Sequence, residues 1–422
     1  MSKKSTKITE AITLEPTDTT TISSPKAGDI ALDIDNTLKY YNGSIWTSVG
    51  GTSSLGVVDV VTRNQMDFSG NSYIEQIPQF PWTASAKISD PSILPSAKGT
   101  GCVFSPNGEF LSISHFTSPF ITIYQRSGTT FTKLANPATL PTGTPAGCTW
   151  SPNGEFLAVA HAITPFITIY QRSGTTFTKL TNPATLPAIQ ATSCCFSSNG
   201  EFLTVGHNGS PRITTYQRSG TTFTKIADPV TLPTGIAYGV SWSSDDRFLS
   251  VAHDTTPFVT IYERSGIVLT KLTNPVTLPT GNGTGCSWSP NGEFLSISHF
   301  ITPFITTYQR SGTTFTKVSD PLILPGGSGT GCSYSSNGEF LSVTTQGTIF
   351  IQIYQRSGTT FTKVTTPTSI PNTTCNSSSW SYNNEFLVTA ITSSPFVAIY
   401  QTASNMPDIA FLKTKNIKRQ GT

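Results

Sequence analysis

Seven tyrosines constrain this chain more than any other feature. Tyr124, Tyr170, Tyr216, Tyr262, Tyr308, Tyr354 and Tyr400 each close a segment of the form I/V-x-x-Y, and each follows the last by 46 residues without slip. A period in the forties is that of a propeller blade, one four-stranded unit that cannot bury its apolar face alone. One unit, Gly147 to Pro187, reads GCTWSPNGEFLAVAHAITPFITIYQRSGTTFTKLTNPATLP. Its expected parts are strand A at CTW, the turn SPNGE, strand B at FLAVAH, strand C at FITIYQ, the turn RSGTT and strand D at FTKL. Asn-Gly between two apolar runs is a strong hairpin signal, and Val, Ile, Phe, Tyr and Thr suit a pleated surface.

The last copy is incomplete. SSSW, EFLVTA and FVAIY supply its strands A to C, but QTASNMPDIAF follows where RSGTTFTK is expected. The missing piece stands at the front: AKISDPSILP (Ala86–Pro95) matches TKVSDPLILP (Thr316–Pro325), with Lys87 in register with Lys133. The expected fold is therefore an all-β, seven-bladed β-propeller whose N-terminal strand closes the last blade, which removes the open edges between first and last blades. The expected organisation is an N-terminal arm (1–25), a small β module (26–56), a linker (57–82), the propeller (83–402) and a tail (403–422). The pattern SPNGEFL…ITIYQ resembles the WD40-type repeat. It departs from that family in lacking both the Trp-Asp pair after strand C and the Gly-His pair that opens each repeat.

The front segment has a separate logic. GDIALDI and TLKYY alternate as strands do, IDNT supplies a turn, and YNGSIW carries a second Asn-Gly hairpin signal. GDIALDIDNTLKYYNGSIWTSV resembles a short β module of bacteriophage tail-fibre and other virion proteins, where it precedes a receptor-binding or decorating domain. That resemblance implies attachment to a particle through this segment, with Tyr40, Tyr41 and Trp46 as attachment residues.

Several function classes have little support. The net charge is +3 and the only basic cluster is the terminal KTKNIKRQ, so the reading expects no nucleic-acid partner. No apolar run approaches the ~20 residues of a membrane helix, and the start carries no signal-peptide pattern; no membrane insertion is expected. Five of the seven cysteines (Cys102, Cys148, Cys194, Cys286, Cys332) share one repeat position, whereas Cys195 and Cys375 do not. They read as small buried thiols rather than disulfides. All five histidines, His115, His161, His207, His253 and His299, also share one position, with Thr345 and Ile391 in the last two copies. One per blade is too dispersed for a zinc site, which needs its ligands ~2 Å from one centre, so a hydrogen-bonded structural role is expected. Glu109 and its equivalents, and Arg126 and its equivalents, read as a solvated ring of weak ion pairs at the A–B and C–D turns. No nucleophile triad, phosphate loop or paired thiol motif appears. No enzyme activity, no cofactor and no metal are therefore expected.

Because the chain holds seven copies of one unit, position can be compared with position inside it. The A–B and C–D turns barely vary. The B–C loops (FTSP, AITP, NGSP, DTTP, FITP, QGTI, TSSP) and the D–A connections do, and strand alternation puts both on the opposite face. Loops on a rigid scaffold commonly carry recognition. The candidate binding residues on that face are Phe116, Asn208, Arg212, Tyr238, Asp254, Phe300 and Gln346. Together with the virion-type module, this leads to the expectation of a virion protein made in the host cytoplasm. It would be a tail-fibre or receptor-binding component, with other virion proteins, a host receptor or glycan and further copies of itself as partners. The alternatives are a head, neck or collar decoration protein and a cytoplasmic propeller scaffold.

Overall fold

The computed structural model describes residues 30–32, 38–41, 46–48, 86–364 and 369–402, and its regular structure is all β. The expected arm, linker and tail lie outside the described residues. In the front segment, β1 (Ile30–Leu32), β2 (Leu38–Tyr41) and β3 (Trp46–Ser48) form an antiparallel sheet in that order. The attachment candidates Tyr40 and Tyr41 fall on β2 and Trp46 on β3, where Tyr41 pairs with Trp46. Residues Trp82–Ala403 form a separate compact unit.

That unit is seven four-stranded antiparallel sheets, each ordered A–B–C–D. In blade 2 the strands are Pro145–Trp150, Phe156–His161, Ile167–Ser173 and Thr176–Lys179. Blade 7 has its own strands A to C, ending at Val397–Gln401, and its fourth strand is β4 (Ala86–Lys87). Lys87 pairs with Tyr400 and Ala86 with Gln401, and the Ile88 amide donates to the Ile399 carbonyl at 3.0 Å. The closure expected from AKISDPSILP is thus formed.

The buried apolar residues fall into seven clusters, each shared by two neighbouring blades, and the one joining Val388 and Ile399 to Leu111 and Ile113 seals blade 7 against blade 1. The repeating tyrosines are fully buried. Each phenol donates to a backbone carbonyl 31 residues upstream, as Tyr124 does to Ile93 at 2.8 Å and Tyr400 to Ser369 at 3.1 Å. The tyrosine therefore ties each blade to the connection that leads into it.

The uniform A–B turn is built from its own side chains. Ser105 Oγ accepts from the Phe110 amide at 2.9 Å and donates to Asn107 Oδ1 at 2.7 Å. Gly108 takes φ = 68°, a left-handed conformation open to glycine. In two copies Asp246 and Asn384 occupy it at φ 56° and 58°, as Asp and Asn tolerate that region.

Strand A starts earlier than CTW implies. It runs from Pro145 in blade 2, with a register shift between Ala160 and His161 of its partner strand. Its opening residues are small and turn-like because neighbouring A strands converge at the axis. A Cβ on Gly239 would lie 2.7 Å from Gly285 Cα in the next blade. Composition that reads as loop is here a close-packed strand.

Candidate functional site

The A strands surround an axial channel of about 230 Å³. Three rings line it, each with one residue per blade. The first is Thr100, Ala146, Thr192, Tyr238, Thr284, Thr330 and Asn376, the second is glycine or serine, and the third is cysteine except for Val240 and Ser378. Polar side chains of the first ring stitch blade to blade: the Thr284 hydroxyl donates to the Gly329 carbonyl at 2.8 Å, and the Asn376 amide donates to the Gly99 carbonyl across the closure at 2.7 Å. Tyr238 breaks this ring as its one aromatic residue and is 41% exposed.

The sequence placed Tyr238 in a D–A loop; it belongs to strand A of blade 4 (Ala237–Trp242). Of the seven candidate binding residues it alone lines the channel. Phe116, Asn208, Asp254 and Phe300 sit on the B–C loops, Arg212 ends one, and Gln346 lies in the extended strand B of blade 6 (Phe340–Gly347), where it pairs with Ser328. Phe116 is exposed, with Lys98 Nζ 4.2 Å from its ring centroid. Asn208 and Arg212 meet within one loop, where the guanidinium donates to the Asn208 carbonyl. Asp254 ties its loop to the adjoining D–A connection, accepting from the Ile236 amide there at 2.9 Å and from the Thr255 hydroxyl of its own loop at 3.2 Å. Phe300 and Gln346 are exposed on blades 5 and 6. The residues share a face and are not gathered into one pocket.

The loops themselves have a form that the sequence reading missed. In six of the seven the X-Pro bond is cis, as at Ser118-Pro119, and the next residue takes a positive φ. That residue is Phe in five of them and Arg212, at φ 74°, in blade 3. Blade 6 has Thr348-Ile349 in place of X-Pro, and its first hairpin is longer, with Gly327 pairing Gly347. The recurring Pro-Phe pair was the available signal.

The histidines are fully buried at the ends of the B strands. Nε2 of His161 bonds to Thr168 Oγ1 at 2.9 Å, and the other four make the same contact with Thr122, Thr214, Thr260 and Thr306. Burial holds His115, His161, His253 and His299 down to about 4 and lowers His207 as well. The ring is neutral and structural at neutral pH. The five repeat-register thiols point into blade interfaces, each bonding a backbone carbonyl of the preceding blade, as Cys332 does with Ser296 at 3.5 Å. Burial pushes Cys102, Cys286 and Cys332 up to about 12 and Cys195 to about 11. All seven are free thiols, and none has the low pKa of a reactive one. Among the described residues, no group of His, Cys, Asp or Glu is placed to hold a metal.

The expected ring of ion pairs does not form. Glu155 binds Gln171 Nε2 at 2.8 Å and Asn153 Nδ2 at 3.0 Å in its own blade. Arg172 donates to the Gly154 and Gly174 carbonyls at 2.8 and 3.0 Å, and its guanidinium lies 5.0 Å from the Phe110 ring of the preceding blade. The same cross-blade stack recurs for Arg126, Arg218, Arg264, Arg310 and Arg356. At these turns, among the described residues, the ion pairs are Arg126–Glu385, Arg310–Asp245 and Arg247–Glu263. Arg prefers an aromatic face where one is offered because its planar cation is weakly hydrated.

No protein-family model and no curated protein matches the chain. It is similar in structure to a chain of the hydrazine synthase of Kuenenia stuttgartiensis, with a TM-score of 0.59 at 16% identity, covering 75% of this chain and 99% of that one. A chain of the mitotic checkpoint complex gives a TM-score of 0.58 at 17% identity, covering 78% and 97%. At such identities the likeness shows the fold alone. This protein has the fold of a seven-bladed β-propeller.

Proposed function

We propose that the chain is a bacteriophage virion component of the tail-fibre or receptor-binding kind. The front segment attaches it to the particle, and the B–C and D–A loop face meets the host surface. One observation carries the reading: variation among the seven copies is concentrated on one face, while the turns of the other face, blade 4 apart, are nearly constant and are held by recurring hydrogen bonds. A rigid ring with one chemically varied face is the arrangement that recognition loops require. The likeness of residues 28–49 to virion modules supports the placement in a particle. The varied face combines exposed aromatics (Phe116, Phe300) with amide and guanidinium groups (Asn208, Arg212, Gln346), a set suited to a receptor or glycan.

The test is adsorption of particles carrying substituted chains. F116A/F300A is expected to slow adsorption at least about tenfold, an effect of about 1.4 kcal/mol on binding. T175S/T221S on the uniform face leaves it unchanged. Normal adsorption of the loop variant contradicts the reading.

A further inference from the structure

Asn-Gly occurs eight times in the chain. It is the pair whose asparagine hydrolyses most readily, because a glycine without Cβ lets its own amide nitrogen approach the asparagine side chain. Five of the pairs form A–B turns, and these are locked. The Gly108 amide donates to the Ser105 carbonyl at 2.8 Å, so the attacking nitrogen is engaged. Asn107 Oδ1 accepts from Ser105 Oγ at 2.7 Å and from the Glu109 amide at 3.1 Å, and its Nδ2 donates to Glu109 Oε2 at 3.0 Å. Asn153, Asn199, Asn291 and Asn337 repeat this arrangement. In Asn282-Gly283 the glycine is buried in strand A of blade 5, and Asn42-Gly43 lies outside the described residues. Asn208-Gly209 differs from all of these. It stands half-buried at the start of the B–C loop of blade 3. Among the described residues the Gly209 amide donates to no acceptor and Asn208 Oδ1 accepts from no donor. Asn208 Nδ2 has one long contact, to Gln190 Oε1 at 3.4 Å. The Arg212 guanidinium donates to the Asn208 backbone carbonyl. That carbonyl and the Gly209 nitrogen belong to one peptide unit, so the cation stabilises the negative charge the unit acquires when the nitrogen loses its proton. In five other loops phenylalanine stands where Arg212 does.

We propose that Asn208 is a site of hydrolytic deamidation in the folded protein, activated by Arg212. The Gly209 nitrogen gives its proton to water and attacks Asn208 Cγ. The Cγ–Nδ2 bond breaks, and ammonia leaves with a proton taken back from water. A second water then opens the five-membered imide to aspartate or isoaspartate. The net reaction is hydrolysis of one amide, so it needs neither an oxidant nor a second enzyme. The product places a carboxylate in the same loop as Arg212, on the varied face, and so turns a cationic loop into one that holds both charges. The inference stands whatever that face binds, because the change is read as a covalent event.

The test is peptide mass spectrometry of the full-length chain during incubation in mildly alkaline buffer, with circular dichroism to check the fold. Asn208 is expected to deamidate at least about tenfold faster than each of the five turn asparagines. In guanidinium, which opens the turns, the five are expected to approach its rate. R212F installs the residue of five other blades and so keeps the loop. It is expected to slow the reaction at Asn208 at least about threefold and to leave the turn sites unchanged. Deamidation at Asn208 no faster than at the turns of the folded chain overturns the proposal, and a rate at Asn208 that R212F leaves unchanged overturns its activation by Arg212.

Discussion

At the residue scale, one interior pair exists in three versions within the same molecule. Five blades bury His against Thr at the B–C rungs, blade 6 buries Thr345 and Gln352, and blade 7 buries Ile391 and Ala398. A large residue on one strand is matched by a small one on the other, or the reverse, and the apolar version in blade 7 serves as well as the hydrogen-bonded one. The histidine is therefore a space-filling group that must stay neutral. Its folded pKa of about 4 lies below the ordinary 6.5, so between those values the unfolded chain binds more protons than the folded one. Stability is complete above about pH 6.5 and falls as the pH drops toward 4. Denaturant titrations at pH 7.5, 6 and 4.5 are expected to show this loss, and H161I/T168A, which copies blade 7, to make it shallower. A profile unchanged by that pair contradicts the assignment. The histidine register was legible in the sequence. Its burial and its threonine partner seven residues on were legible only by setting the sixth and seventh copies against the rest.

At the scale of elements, blades are joined by contacts that run between equivalent turns 46 residues apart. Where the A–B turn of one blade carries proline, as at Pro152 and Pro290, the next blade has glycine, whose added Cβ would lie 3.1–3.2 Å from that ring. Where the proline is replaced by Ser198 or Ser336, the freed amide is taken by Asp246 or Asn384 of the next blade. The Arg–Phe stack belongs to the same interface. Arg172→Ala removes it together with two hydrogen bonds to backbone carbonyls and is expected to cost about 1–3 kcal/mol, read from denaturant midpoints at constant slope. A loss under about 0.5 kcal/mol would mean that the side chain is merely solvated. Here the sequence misled. Glu and Arg at matching turns suggested pairing within a ring, because the facing phenylalanine is distant in sequence and belongs to another blade. Strand A was cut short for a related reason: the small residues demanded by the crowded axis look like those of a loop.

At the scale of the whole molecule, the period and the displaced fourth strand were both readable, since neither depends on side-chain contacts. The 46-residue spacing dictates the blade count, and the truncated last copy with its match at Ala86–Pro95 dictates the closure. What the varied face touches was not readable, because recognition depends on how loops from different blades come together in space. The loop face acquires its rigidity from a ring that closes, and this closure is the central claim. It is tested most directly by thermal unfolding of the full chain beside two truncations. Removal of residues 84–95 takes away β4, Ile88 and the Ile93 carbonyl that holds Tyr124. It is expected to lower Tm by at least about 10 °C and to broaden the transition, whereas removal of residues 411–422 leaves Tm within about 2 °C. Equal melting of the two truncated chains would contradict a ring closed by its own N-terminal strand.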